Sequence, residues 1–232
     1  MSPRPALPPG QREITEMPRF GLPRYAKRFP AETKRVAVTV SGDVQRTVEI
    51  AERLGELRRV QQVSDFHCVT SWTRCAARWA GWAFADFYER LVVPVASPEP
   101  NATFVIFRCQ DGYRVSMPLD DLMSPDVLLA DELDGEPLSI THGAPLRLVA
   151  PAHYAYKSPK HIRQIEFWRD GRNYRPAGLA FMDHPRGRVA YEERGRVFPG
   201  WLLRYLYRPL INPVKRRFAA ALETAAERTD KG

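Results

Sequence analysis

Long apolar runs are missing from this chain. Nowhere in its 232 residues do the roughly 18 consecutive apolar residues of a membrane span occur. The opening stretch, MSPRPALPPGQREITEM, has no apolar core followed by a small-residue cleavage site, so neither a secretory nor a twin-arginine leader is expected. Cysteine is scarce. Cys68, Cys75 and Cys109 are an odd three, too few and too irregular for a disulfide scaffold, and the expectation is a reduced, cytoplasmic protein. Cys68 and Cys75 lack the C-x-x-C spacing of zinc and redox sites, and no His-x-x-x-His pair stands among the five histidines to complete one. Internal repeats and low-complexity tracts are absent, which excludes solenoids and repeat arrays.

The composition that remains is that of a globular protein. The chain is 44% hydrophobic and 11% aromatic, enough apolar material for one large domain or two small ones. The net charge is +8, which suits nucleic acid, a membrane surface or acidic small molecules. Much of it gathers late, at Arg194, Arg196, Arg204, Arg208, Lys215, Arg216 and Arg217.

Residues 1–17 are Pro-rich and polar and are expected to be disordered. An arm over 18–30 alternates proline, aromatic and basic residues and belongs to a main domain over 18–198. Val36, Val38 and Val40 alternate as in a strand. Val48, Ala51, Leu54 and Leu57 fall at helical spacing, so a short helix is predicted over 47–57. Residues 61–67 read as an extended approach to Cys68. Trp82, Phe84, Phe87 and Leu91 predict a helix over 79–91. Residues 103–108 and 113–117 flank the turn Gln110-Asp111-Gly112 as a hairpin. Residues 118–130 read as helix and turn, and 146–149 and 162–168 as strands. Short strands and helices without a regular βαβ rhythm give an α+β class. The tail over 199–232 is basic and apolar, with Pro209 and Pro213 expected to interrupt any helix.

Two stretches carry chemistry. In QQVSDFHCVTSW (61–72), Cys68 follows an apolar approach. Taken alone it reads as a small buried core residue, as do Cys75 and Cys109. In HGAPLRLVAPAHYAYKSPKHI (142–162), Arg147, Lys157 and Lys160 surround Ser158 and a Pro-bounded turn. A guanidinium fork, point charges, a hydroxyl and turn amides can together hold a phosphate. The same residues also suit a solvated basic loop, and Tyr154 and Tyr156 leave a weak nucleic-acid reading.

Together the two stretches resemble the sulfite oxidase superfamily of molybdenum enzymes. The likeness spans about residues 60–170 in the family's order. VSDFHCVTSW with Trp79-Ala80-Gly81 resembles its cysteine segment and W-x-G. DGYRVSMPLDDLMSPDVLLADELDGEPL resembles the segment that follows. HGAPLRLVAPAHYAYKSPKHI resembles its HG-x-P-x-R and K-S-x-K segment. The resemblance implies an α+β, sulfite-oxidase-type molybdopterin-binding domain and a molybdenum-molybdopterin cofactor.

It also implies roles. Cys68 takes the molybdenum-ligating position, where a soft thiolate suits the metal. His142 and Arg147 take pterin- and phosphate-contacting positions. His142 matches the sulfite oxidases, where bacterial protein-methionine-sulfoxide reductases have Asn. Ser158, Pro159 and Lys160 fall on the S-x-K around the terminal phosphate. Thr103 falls near a cofactor-contacting threonine, and Arg19 and Phe20 near N-terminal contacts, of the reductases. Arg74 is a candidate for aiding an anionic or sulfoxide substrate, or else a surface arginine.

The implied function is two-electron oxygen-atom transfer to or from a small molecule or sulfoxide, the metal cycling between Mo(VI) and Mo(IV). A metal site of this kind must exchange electrons with a partner. The tail over 201–211 is read as its docking segment, for a membrane haem protein or the membrane surface itself, against the alternative that it completes the core. No nucleic-acid partner is expected. The alternative from another class is a non-catalytic basic protein that binds nucleic acid or an anionic surface.

Overall fold

The structure is a computed structural model that describes residues 6–18, 25, 28, 30, 33–50, 52–178, 183–193, 195–196 and 199–229. Its strands are β1 (Arg12–Ile14), β2 (Val38–Gly42), β3 (Val48–Ile50), β4 (Arg59–Cys68), β5 (Trp72–Ala83), β6 (Phe104–Cys109), β7 (Arg114–Pro118), β8 (Leu128–Leu133), β9 (Glu136–Pro137), β10 (Arg147–Val149) and β11 (Ile162–Trp168). The helices are α1 (Phe84–Phe87), α2 (Val93–Ala96), α3 (Leu119–Leu122) and α4 (Gly200–Thr229), with a π turn over Tyr88–Val92 joining the first two. The class is α+β, as expected.

The strands make two sheets. In one, β5 runs through the centre with β4 along one side; β8 and β1 share its other side, and β10 and β9 pair with β8. The other has the order β3-β2-β11-β6-β7. The main core lies where α1, the π turn and α2 meet the second sheet and one face of β8 and β10. There Phe84, Phe87 and Leu91 pack with Val40, Phe107, Leu129 and Leu148. A smaller apolar cluster covers the opposite face of the first sheet and contains Phe66, Cys68, Trp72, Trp79, Leu128, Ala130 and Val149. Successive side chains of a strand point to opposite faces. Leu148 therefore enters the main core while Arg147 and Val149 turn toward the smaller cluster.

Gly81 shows why the first sheet can pack so closely. A Cβ there would lie 2.1 Å from Leu129 O on β8 and 2.7 Å from Ala130 Cα, at a register shift between the two strands. Only glycine lets these backbones approach.

Several expectations fail for identifiable reasons. The helix predicted over 79–91 begins only at Phe84, because Trp79 to Ala83 belong to β5; an apolar run buried on both faces carries no decisive period. The helix predicted over 47–57 is β3 followed by a 3-10 turn, Glu52–Glu56. Pairing of β3 with β2 overrides the local spacing. Arg12 to Ile14, expected in a disordered tail, pair in parallel with Trp72 to Arg74. The arm expected over 18–30 lies almost wholly outside the described residues, as do Arg19 and Phe20.

The prolines of the tail do not end its helix: α4 runs through Pro209 and Pro213. Each proline removes one backbone hydrogen bond, and burial of Leu203 and Phe218 on either side anchors the helix to the body. Among the described residues no helix is long and apolar enough to cross a membrane.

Gly81→Ala is expected to cost about 3 kcal/mol or more of folding stability, since the backbone of β8 has to move. Gly55→Ala, whose Cβ meets nothing within 4 Å, should be close to neutral. Denaturant melts of the two variants check the difference; equal melts would contradict the close-approach argument.

Candidate active site

β4 delivers Cys68 at its last residue. Phe66 and Cys68 alternate onto the buried face of the sheet, and the ladder sets Cys68 opposite Trp72 and Phe66 opposite Arg74. Cys68 is 8% exposed, and its Sγ lies 3.0 Å from Thr70 Oγ1. None of the three cysteines is in a disulfide. The turn after Cys68 is held from several sides. Ser71 N donates to Cys68 O at 3.1 Å, and Gln11 Nε2 donates to the same carbonyl at 3.0 Å. Thr73 Oγ1 donates to Gln11 Oε1 at 3.3 Å and meets His67 Nδ1 at 2.9 Å.

The second stretch arrives on the same face. β5 pairs with β8 and β8 with β10, so Arg147 crosses the sheet toward β4. Its Cζ lies 4.8 Å from the Phe66 ring centre and 4.9 Å from that of Trp79. The side chain is 1% exposed. It donates from Nη1 to His142 O at 2.9 Å, from Nε to Leu148 O at 3.3 Å and from Nη2 to Ser158 O at 3.5 Å. Among the described residues no carboxylate pairs with it. Burial pushes the guanidinium down to about 9. Arginine keeps its proton at ordinary pH, so the shift registers as the cost of a buried cation without an anion.

The surrounding loop gathers the other candidates. Gly143 has φ of +118°, and a Cβ there would come within 3.1 Å of Arg147 Cβ and of Lys160 Cβ and Cγ. Only glycine lets the two basic stems flank the chain so tightly. Lys160 Nζ donates to Thr141 O at 2.7 Å. Ser158 is buried, its Oγ accepting from Ala150 N at 3.2 Å, and Pro159 O accepts from Leu148 N at 3.0 Å. His142 is held below its ordinary value by burial and then by the charges of Lys160 and Arg147, with Asp134 opposing. The indole Nε1 atoms of Trp72 and Trp79 are buried without a hydrogen-bond partner.

This donor set fits a molybdopterin. Two indole N–H groups, a buried guanidinium and an ammonium flank one another with no counter-anion for the guanidinium, which suits an organic polyanion. A thiol on the same sheet face suits a soft metal.

Not every predicted residue joins the cluster. Thr103 does not: it is exposed at the start of β6, whereas His161 O accepts from Gln110 N beyond the other end of that strand. Six strand residues at about 3.3 Å each separate them by roughly 20 Å. Lys157 also departs. It is fully buried, and its Nζ donates to Ser116 O at 2.9 Å and pairs with Asp183 at 3.2 Å, toward the second sheet. Arg74 shares the face of Phe66, but its guanidinium is taken by Cys75 O at 2.8 Å and Asp134 Oδ2 at 3.1 Å.

Sequence reasoning missed the walls and the clamp. Phe66 was legible as the F-x-C alternation and Trp79 as part of W-x-G, yet neither spacing reveals an arginine between them. Gln11 gives no local signal, because its partners lie about 60 residues away on a parallel pairing.

The oxidoreductase molybdopterin binding domain, as a family profile, matches residues 26–174, well over half of the chain. The chain belongs to the molybdopterin-binding oxidoreductases. This places it in the sulfite oxidase superfamily, whose cofactor is molybdenum held by molybdopterin. Oxidoreductase YuiH of Bacillus subtilis is 38% identical over 112 residues, 48% of this chain and 54% of that protein. The protein-methionine-sulfoxide reductase catalytic subunit MsrP of Xanthomonas campestris pv. campestris is 28% identical over 210 residues, 75% of this chain and 62% of that protein. The sulfane dehydrogenase SoxCD of Paracoccus pantotrophus shares the fold, with a TM-score of 0.54 at 17% identity over 80% of this chain and 56% of the other. The chain thus spans about half of the length of the curated relatives it matches.

The depressed His142 gives this oxidoreductase a pH signature. In the cofactor-free protein a lowered histidine binds fewer protons folded than unfolded, so its cost is absent above the ordinary value of 6.5 and grows as pH falls through it. His67, His153 and His184 are lowered in the same sense. The apo-protein should therefore melt lower on acidification from about pH 7.5 to about 5.5, and His142→Gln should remove one share of that loss. An identical pH slope in the variant would refute the assignment.

Proposed function

We propose that the protein catalyses two-electron oxygen-atom transfer on a molybdenum ligated by Cys68. The observation that carries the reading is the meeting of Cys68's strand face with the carboxylate-free Arg147, across more than seventy residues of sequence. When bound, the molybdenum–pterin group supplies redox and oxygen-transfer chemistry that no side chain has. The chain's own part is to hold and exclude. Cys68 offers the thiolate. Arg147 and Lys160 offer charge to the pterin and its phosphate, and His142, Ser158 and Pro159 shape the loop around them. Phe66, Trp72 and Trp79 keep water away, which strengthens each of these contacts. Arg74, already paired with Asp134, and the distant Thr103 stay outside this set.

Sulfite-like oxidation and sulfoxide reduction both fit this machinery. The relatedness to a protein-methionine-sulfoxide reductase subunit supports the second, while His142, at a position shared with the sulfite oxidases, supports the first. Recharging the site calls for an electron-transfer partner. Exposed Trp201, Tyr205, Leu206 and Leu210 on α4 favour docking there, a membrane haem protein being the partner we assign, with the chain itself cytoplasmic.

Two experiments test this reading. Elemental analysis and mass spectrometry of protein from a cofactor-producing host should find about one molybdenum and one pterin per chain. Cys68→Ser should abolish turnover with the fold intact, while Cys75→Ser should lose only packing stability. Folded wild-type protein without molybdenum would favour the non-catalytic basic binder instead. Separately, Arg147→Ala and Lys160→Ala should each lower cofactor occupancy, the loss of a charge-assisted contact being worth about 1.5–3 kcal/mol. The apo-protein melting temperature of Lys160→Ala should change much less, and unchanged occupancy in both variants would return the loop to a solvated role.

A further inference from the structure

Both ends of the chain leave the matched domain, which covers residues 26–174, and both come back to the cysteine turn. From the N-terminal side, Arg12 N donates to Ser71 O at 3.2 Å. From the C-terminal side, Arg208 Nη2 donates to Gly10 O at 3.3 Å. Between them lies a pocket of about 310 Å³ lined by Arg12, Thr70, Ser71, Arg208, Asn212 and Lys215, among others. Residues 208, 212 and 215 repeat at helical spacing and so share one face of α4.

The charge of this pocket is all of one sign. Arg12, Arg208 and Lys215 line it and no carboxylate does; among the described residues none of the three forms an ion pair. Three like charges around one open pocket repel each other and favour an anion. The pocket also touches the proposed metal ligand, since Thr70, one of its lining residues, places its hydroxyl 3.0 Å from Cys68 Sγ.

We infer that Arg12, Arg208 and Lys215 form a subsite that holds a small doubly charged oxyanion at the mouth of the cysteine turn and selects the substrate by charge. Three cations neutralise a dianion better than a monoanion, and the hydroxyl groups of Thr70 and Ser71 and the side-chain amide of Asn212 supply neutral hydrogen bonds. The subsite rests on the oxygen-transfer reading only in taking the bound anion as a substrate. Its three cations lie outside residues 26–174, the span that matches the family model, while Thr70 and Ser71 lie within it.

Calorimetric titration of inorganic sulfate into the full-length, cofactor-loaded protein at low ionic strength tests it. One sulfate per chain should bind, and nitrate should bind about tenfold more weakly or less. Arg208→Gln combined with Lys215→Gln should weaken sulfate about tenfold with molybdenum content unchanged. Arg216→Gln combined with Arg217→Gln removes the same charge from exposed positions of the same helix outside the pocket and should leave sulfate affinity as it is. Equal weakening by both pairs, no weakening by the first, or no saturable binding would overturn the subsite. Molybdenum analysis of the same samples judges the oxygen-transfer reading separately: protein that binds sulfate here but carries no metal sinks that reading and keeps the pocket.

Discussion

A buried cation with no anion is the constraint on which the site depends. Arg147 sits between the rings of Phe66 and Trp79 at 4.8 and 4.9 Å, satisfied only by carbonyl oxygens. Such a group costs on the order of several kcal/mol, partly offset by about 2 kcal/mol of ring contact where water is excluded. A protein selected for stability alone would place an apolar residue there. The cost makes sense if the cavity's usual state includes a polyanion, which converts the penalty into binding energy. The same logic fits the two buried indole N–H groups without partners.

Everything around that cation serves its placement. β5 is twelve residues long and carries partners on both sides, so the cysteine strand and the arginine strand become neighbours of a common element. Gly81 and Gly143 allow two close approaches that shape the site, one between strands and one between basic stems. The alternation within Arg147–Val149 then decides the rest. A slip of one residue would send Arg147 into the main apolar core and Leu148 to the site.

Much of this could be read from the sequence, and the exceptions share a cause. The α+β class, the strand leading to Cys68, the hairpin at Gln110–Gly112 and the loop from His142 were legible because local chemistry fixes them. The helix misplaced onto Trp79 was not, because a strand buried on both faces shows no period to distinguish it. Helical spacing at Val48, Leu54 and Leu57 lost to a sheet partner, and two prolines lost to packing at Leu203 and Phe218. Gln11 and Arg12 looked like a disordered tail because their hydrogen bonds run to residues about 60 positions away. Within the site, Arg147 and Lys160 gather as the sequence suggested, but Thr103 does not, since proximity to a strand's start says nothing about which end faces the loop.

Lys157 and Lys160 make the general point most sharply. Three residues apart, both basic and both beside Ser158, they look equivalent in sequence. The short 3-10 turn Ala155–Lys157 separates them: Lys157 turns under the second sheet to Ser116 and Asp183, while Lys160 turns back toward Thr141 and Gly143. One lysine has an anionic partner within the protein and thereby becomes part of the scaffold. The other donates to the carbonyl of Thr141 at 2.7 Å on the side of Gly143 where Arg147 also lies. Charge alone therefore does not mark a phosphate-binding residue. What marks it is a cation that the fold has positioned and hydrogen-bonded but not neutralised, and in this loop Arg147, paired with no carboxylate among the described residues, meets that condition.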